Sequence, residues 1–135
     1  MSNVINTVLL IDDDITINYL HNRLIQKNEL TNSVLISQNG KEGIQSLTEL
    51  NSVCGNNENA LIFLDLNMPI MNGWEFLEEL KNLNNSLKLN YKLFVLSSSI
   101  NPDDRKKAEN NPLVTGYLSK PLSKEILDQL KTKFF

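Results

Sequence analysis

Leu61-Ile62-Phe63-Leu64-Asp65-Leu66-Asn67-Met68-Pro69 is the stretch that decides how the chain folds. Five of its first six residues are apolar, and the exception is Asp65. So dense a run, closed downstream by Pro69 and Asn72-Gly73, predicts a strand buried on both faces. A carboxylate belongs at the end of such a strand only if a cation or a chemical task awaits it. In open α/β sheets ligands bind at the carboxyl edge of the strands. Asp65 stands where this strand leaves the sheet, which makes it the candidate chemical centre.

Working outward, Thr7-Val8-Leu9-Leu10-Ile11 is a second short apolar run, and it ends in Asp12, Asp13 and Asp14. Ser33 to Ser37, Lys92 to Leu96 and Gly116 to Ser119 are three more strand candidates; Ser97-Ser98-Ser99 follows the second of them and Lys120-Pro121 the third. Helical spacing separates these runs. The first helix shows Ile17, Leu20, Leu24 and Ile25, with Asp14 or Thr16 as its cap. Gly40 to Leu50 places Ile44, Leu47 and Leu50 on one face. A helix from about Asn72 turns Phe76, Leu77, Leu80 and Leu83 inward, with Trp74 packing at its start. The last helix, Ser123 to about Lys133, has a stripe of Ile126, Leu127, Leu130 and Phe134. Asn51 to Asn59 and Asn84 to Asn90 are polar and are expected as loops.

The helix between the fourth and fifth strands differs from the others. Asn101-Pro102-Asp103-Asp104 is a helix start, but Arg105 to Asn111 offers only Ala108 for burial. Helices are held mainly by packing an apolar face, so this one is expected to be weakly held and movable.

Five apolar strands alternating with five helices imply an α/β domain, a parallel sheet covered on both faces. Right-handed crossovers bring every carboxyl end to one edge, which collects Asp12, Asp13, Asp65, Ser97 and Lys120. Like carboxylates ~4 Å apart repel by about 4 kcal/mol at an effective dielectric of ~20. Either their pKa values rise or a cation joins them. Oxygen ligands without His or Cys favour Mg²⁺, or Mn²⁺. An acidic nucleophile, a divalent cation, an ammonium and a hydroxyl are together what phosphoryl transfer onto a carboxylate requires.

The totals narrow the classes. The 135 residues suit one domain, and a net charge of −3 gives no reason to expect nucleic acid or an anionic membrane as partner. No apolar run approaches the ~20 residues of a membrane span, and the first residues lack the basic-then-apolar order of a leader. The single cysteine, Cys54, has no Cys or His companions for a zinc site and is expected as a free loop thiol in a reducing cytoplasm. His21 is placed in the first helix, away from the carboxyl edge, as a surface or partly buried residue.

Ile11-Asp12-Asp13, Leu64 to Gly73, Leu96-Ser97-Ser98 and Gly116-Tyr117-Leu118-Ser119-Lys120-Pro121 resemble the four signature blocks of response-regulator receiver domains, in the family's order and across essentially the whole chain. The resemblance implies a flavodoxin-like (βα)5 fold with strand order 2-1-3-4-5. It makes Asp65 the phospho-acceptor and Asp13 a direct Mg²⁺ ligand. Asp12 would support the ion largely through water, and the backbone carbonyl of Asn67 would complete the protein's share. Ser97 would hydrogen-bond the phosphoryl group, Lys120 would pair with it, and Tyr117 would be the aromatic whose rotamer follows Ser97. The donor would be a phosphohistidine on a histidine kinase or phosphotransfer protein. Departures are small: Ser97 stands where Thr is frequent, Ser98 where Ala is frequent, and Asn72 where Asp is frequent, with a helix cap expected either way. Asn67 and Ser99, the positions that tune phosphoryl lifetime in this family, are uncharged here.

The sequence leaves about a dozen residues after Pro121, so the expectation is a single receiver domain over 1–135 with no output domain, of the stand-alone type resembling the chemotaxis regulator. It would be cytoplasmic, and would catalyse only its own phosphorylation and dephosphorylation rather than act as an enzyme. Its readout would be a conformational switch in the fourth helix, fifth strand and last helix, passed to a protein target. Two other classes compete. An adaptor that keeps only the fold predicts a broken pocket. A Mg²⁺-dependent aspartyl-phosphate phosphohydrolase usually carries an acid/base Asp two residues after the nucleophile, where Asn67 stands. A flavin-binding relative of the same fold is disfavoured, because the acidic loop after the first strand would repel an FMN phosphate.

Overall fold

The computed structural model describes residues 4–53 and 58–135. Its elements alternate strictly: β1 (Thr7–Ile11), α1 (Ile15–Lys27), β2 (Val34–Ser37), α2 (Gly40–Val53), β3 (Asn59–Leu64), α3 (Gly73–Leu83), β4 (Asn90–Ser97), α4 (Pro102–Glu109), β5 (Gly116–Ser119) and α5 (Lys124–Phe134). The five strands are all parallel, in the order β2-β1-β3-β4-β5. This is the flavodoxin-like, doubly wound order expected from the sequence.

Side chains along a strand point alternately to the two faces. Leu9 and Ile11 of β1 join Ile62 and Leu64 of β3 in a core with Leu47 of α2 and Phe76, Leu77 and Leu80 of α3. Val8 and Leu10 face the other way, with Leu61, Phe63 and Phe94, into a core closed by Ile25 of α1 and Leu127 and Leu130 of α5. Both faces of the central strands are therefore covered, which is why they read as unbroken apolar runs. Each fully buried Leu, Ile or Phe contributes about 1.5–3 kcal/mol. Among the described residues of α4 only Ala108 is buried, so α4 is held far less firmly than α3, as the sequence predicts.

Register then aligns the site. Ile11 pairs with Leu64, so Asp12 and Asp65 are the next residues out on adjacent strands. Ser97 pairs with Ser119, and Lys120 follows directly, its N–H donating to the Ser97 carbonyl at 3.0 Å. Asn72 caps α3 in a reciprocal pair with Glu75, as expected of either Asn or Asp at that position. Asp14, not Thr16, caps α1.

Two sequence expectations give way. α2 runs through Asn51 to Val53, and the Asn51 side chain accepts from the backbone N–H of Lys88 (2.7 Å) and Leu89 (3.2 Å). Asn51 thus begins no loose loop; it holds the entry to β4. Cys54 lies outside the described residues. The buried face of α1 is Asn18, His21 and Ile25, while Leu20 is exposed. The apolar spacing located the helix, its buried Ile25 and the partly buried Leu24, but turned Leu20 inward and missed Asn18 and His21, two polar residues that find backbone partners on the inner face.

Candidate functional site

The carboxyl edge brings Asp12, Asp13 and Asp65 together, with one carboxylate oxygen of each lying within 4.8 Å of the others. Asp12 and Asp65 are buried and Asp13 is exposed. The loops that carry them are drawn tight at their roots. The Asp12 N–H donates to the Ser37 carbonyl and the Asp65 N–H to that of Ile11, both at 2.9 Å. Gly73 brings the start of α3 directly behind Asp65. Its N–H donates to the Leu66 carbonyl at 2.9 Å, and a Cβ at this position would collide with the Asp65 carbonyl oxygen and approach Leu66 Cα to 2.9 Å.

Lys120 reaches this cluster from the far strand. Its Nζ lies 2.7 Å from Asp12 Oδ2 and 3.4 Å from Asp65 Oδ1. The ammonium thus sits on Asp12 in this state, with Asp65 its second partner. Burial works against the charge on Lys120, but Asp12 and Asp65 outweigh it and hold the pKa above its ordinary value. Asp65 goes the other way. Burial first, then the neighbouring Asp12, push its pKa up from 3.8 to about 6, against the pull of Lys120 and of the Leu66 N–H. Leu66 donates to Asp65 Oδ1 at 2.9 Å, which leaves Oδ2 for chemistry. Asp12 is fully engaged, with Oδ1 accepting from the Asp14 N–H at 3.0 Å and Oδ2 on Lys120.

These donors fit a hard divalent cation. They are oxygens only, they are close enough to share one ion, and even with Lys120 beside it Asp65 is held above its ordinary pKa, which a further positive charge would relieve. Asp13 and Asp65 have oxygens to give directly, whereas Asp12, with both oxygens occupied, suits a supporting position. Asn67 is exposed two residues beyond Asp65.

Ser97 is buried at the end of β4, and its Oγ accepts from the Ser99 N–H at 3.0 Å, so its own O–H can donate. Tyr117 is buried and its OH donates to the Ser99 carbonyl at 3.3 Å, with the Arg105 guanidinium 5.5 Å above the ring. The Ser99 hydroxyl donates to Asp104 Oδ2 of α4 at 2.8 Å and accepts from the Asn101 N–H at 3.2 Å. Ser99 therefore connects Ser97, Tyr117 and α4. From the sequence it was notable only for lacking charge. The available signal was a serine run abutting a helix start, since Ser tends to bond nearby backbone at such places. On the α3 side, Lys107 Nζ sits 4.2 Å above the Trp74 ring.

His21 does not lie away from the edge. It is buried beneath Asp12 and Asp65, and its Nε2 accepts from the Leu122 N–H at 3.1 Å, just past the cis Lys120–Pro121 bond. Burial lowers its pKa; Asp12 opposes this, Lys120 adds to it, and Asp14 opposes it. Its partner is 101 residues away in the chain, so no local pattern could reveal the contact.

A doubly wound parallel sheet with three acids, a hydroxyl and a lysine converging on its carboxyl edge defines an aspartate-centred acidic pocket of the two-component signalling class. The response regulator receiver domain model matches residues 8–131, and the chain belongs to that family. It is similar to a two-component response regulator from Cytophaga hutchinsonii, with 33% identity over 96% of each chain and a TM-score of 0.80. A chain of the CheX-CheY-BeF3-Mg²⁺ complex from Borrelia burgdorferi (18% identity, 98% of this chain and 91% of that one, TM-score 0.78) shares the fold. So does a chain of the Saccharomyces cerevisiae complex between the phosphotransfer protein Ypd1 and the receiver domain of Ssk1 (21% identity, 98% of this chain and 90% of that one, TM-score 0.76).

 No curated protein matches in sequence.

Proposed function

We propose that the protein takes a phosphoryl group onto Asp65 from a phosphohistidine of a histidine kinase or phosphotransfer protein, in a Mg²⁺-dependent reaction, and signals through α4, β5 and α5. The observation that carries this reading is the environment of Asp65: a buried carboxylate, its pKa pushed to about 6, with Asp12 and Asp13 within 4.8 Å and Lys120 at 3.4 Å. Asp65 Oδ2 attacks phosphorus, the O–P bond forms, and the P–N bond breaks with its electron pair returning to the imidazole, which takes up a proton. Asp13, Asp65 and the Asn67 carbonyl would hold Mg²⁺, with Asp12 behind them. When bound, the ion offsets the negative charge that gathers on the phosphoryl oxygens. The Borrelia complex of the same fold contains Mg²⁺ and BeF3, and the yeast one contains a phosphotransfer protein, in keeping with both parts of the proposal.

A phosphoryl group adds about −1.5 to −2 of charge. Lys120 then has a stronger partner than Asp12, and the Ser97 hydroxyl has an acceptor. Moving Ser97 disturbs its bond to the Ser99 N–H, and Ser99 is bonded in turn to Tyr117 and to Asp104 of α4. Because α4 buries so little, it is the element that yields. A downstream protein would read that surface.

Incubation with acetyl phosphate and Mg²⁺ tests the proposal by intact mass. The parent gains one phosphoryl group transiently and Asp65→Asn gains none. No adduct on the parent favours the adaptor, and rapid turnover of unrelated phosphate esters favours the hydrolase.

A further inference from the structure

Two polar residues on the inner face of α1 have no part in the chemistry described so far. Asn18 and His21 are both 3% exposed, and three residues of spacing put them on the same side of the helix. Asn18 Nδ2 donates to the Asp12 carbonyl at 2.7 Å. His21 Nε2 accepts from the Leu122 N–H at 3.1 Å. The first bond reaches the loop that bears the acids, and the second reaches the loop that bears Lys120. These are the loops whose side chains meet in the 2.7 Å Lys120–Asp12 pair.

Stability alone does not account for Asn18. With Nδ2 committed to a carbonyl, the amide orientation is fixed, and Oδ1 is left buried without a partner among the described residues. A buried, unsatisfied polar atom is costly and rare in folded proteins. Asn18 and His21 line one small cavity with Asp12 and Asp65, directly under the acceptor. An apolar residue would fill that space without an orphan oxygen, but it would release the Asp12 carbonyl.

We propose that Asn18 and His21 are positioning residues for phosphoryl acceptance: α1 uses them to clamp the Asp12 loop and the Lys120 loop at a fixed separation. The inference rests on the reading of Asp65 as phospho-acceptor. A neutral imidazole that accepts at Nε2 carries its proton on Nδ1, so the clamp requires that tautomer. Misplacing reacting groups by about 1 Å can cost roughly a hundredfold in rate, so a loosened clamp is expected to show in the kinetics.

His21→Gln, His21→Met and Asn18→Leu test the clamp in the full chain, with urea unfolding run in parallel. Glutamine can place an acceptor near the position of Nε2; methionine cannot. Phosphoryl uptake from acetyl phosphate and Mg²⁺ is expected to slow about tenfold or more in His21→Met and to recover most of that loss in His21→Gln. Asn18→Leu is expected to slow uptake while unfolding at nearly the parent urea concentration, since it exchanges one orphan oxygen for another. Equal rates in the parent, His21→Met and Asn18→Leu overturn the inference, as does a His21→Gln protein as slow as His21→Met. Amide exchange at Leu122 gives a readout independent of phosphorylation: it speeds up in His21→Met and returns toward the parent rate in His21→Gln. If the parent takes up no phosphoryl group, the acceptor reading fails, and the clamp is judged on Leu122 alone. Unchanged exchange there in His21→Met overturns it too.

Discussion

Asp65→Asn should make the metal-free protein more stable, although it removes the proposed acceptor. The side chain is buried beside Asp12, and its pKa is raised from 3.8 to about 6. Between those values the native state holds a proton that the unfolded state has lost. The parent therefore loses stability as pH rises through that window. Integrating the shift gives a cost of about 3 kcal/mol at pH 7, falling to about 0.5 kcal/mol near pH 4. Asparagine has nearly the same shape, keeps an oxygen for the Leu66 N–H, and carries no charge to repel Asp12. Urea unfolding of parent and variant at both pH values, in EDTA, isolates the contribution of Asp65 from that of every other titrating group. The expected gap is about 2–3 kcal/mol in favour of Asp65→Asn at pH 7, shrinking below about 1 kcal/mol near pH 4. Saturating Mg²⁺ should narrow the gap at pH 7 by binding the native parent more tightly than the variant. A variant less stable than the parent at pH 7, or a gap that does not change with pH, would refute the account of the site's electrostatics.

Other perturbations follow from the same geometry. Lys120→Met leaves Asp12 and Asp65 without their cation, and should cost about 3 kcal/mol by urea unfolding in EDTA, with part of the loss recovered in Mg²⁺. Gly73→Ala forces a Cβ against the Asp65 carbonyl oxygen and Leu66 Cα; it should lower stability by about 2 kcal/mol and slow phosphoryl uptake, whereas unchanged behaviour would show that α3 can retreat freely. Ile70 is 77% exposed and sits at φ 70°, a region unfavourable for a β-branched residue. Ile70→Gly should therefore raise the unfolding free energy by about 1 kcal/mol, against the usual effect of introducing glycine.

What the sequence revealed and what it hid have separate physical causes. Strands buried on both faces leave continuous apolar runs, so β1, β3 and β4 were legible, and parallel topology then placed Asp12, Asp13, Asp65, Ser97 and Lys120 on one edge. The thin apolar content of α4 was equally plain, because burial of Ala108 alone is a property of local composition. The inner face of α1 is legible only in part, through Ile25 and Leu24. Asn18 and His21 are buried through bonds to the backbone of Asp12 and Leu122, and apolar periodicity counts such residues as surface. Asn51 escapes a local pattern for the same reason, since its partners, Lys88 and Leu89, are 37 and 38 residues away. Polar side chains satisfied by remote backbone are invisible to a local pattern.

The same limit applies within the site. Spacing brought Lys120 to the acids but did not show which acid it would favour. The 2.7 Å contact to Asp12, against 3.4 Å to Asp65, makes the resting partner of Lys120 different from the one proposed for it after phosphorylation. On the proposed function, transfer of the ammonium from Asp12 toward the phosphoryl group would be part of the switch, and Ser99 would carry the change on to Tyr117 and α4.

The central claim is that Asp65 carries the phosphoryl group. Borohydride reduces an aspartyl phosphate to homoserine, which marks the residue permanently. After treatment with acetyl phosphate and Mg²⁺, reduction and peptide mass spectrometry, homoserine is expected at position 65 and at neither Asp12 nor Asp13. Homoserine at Asp12 or Asp13, or at no aspartate in a protein that gains the phosphoryl mass, would contradict the claim.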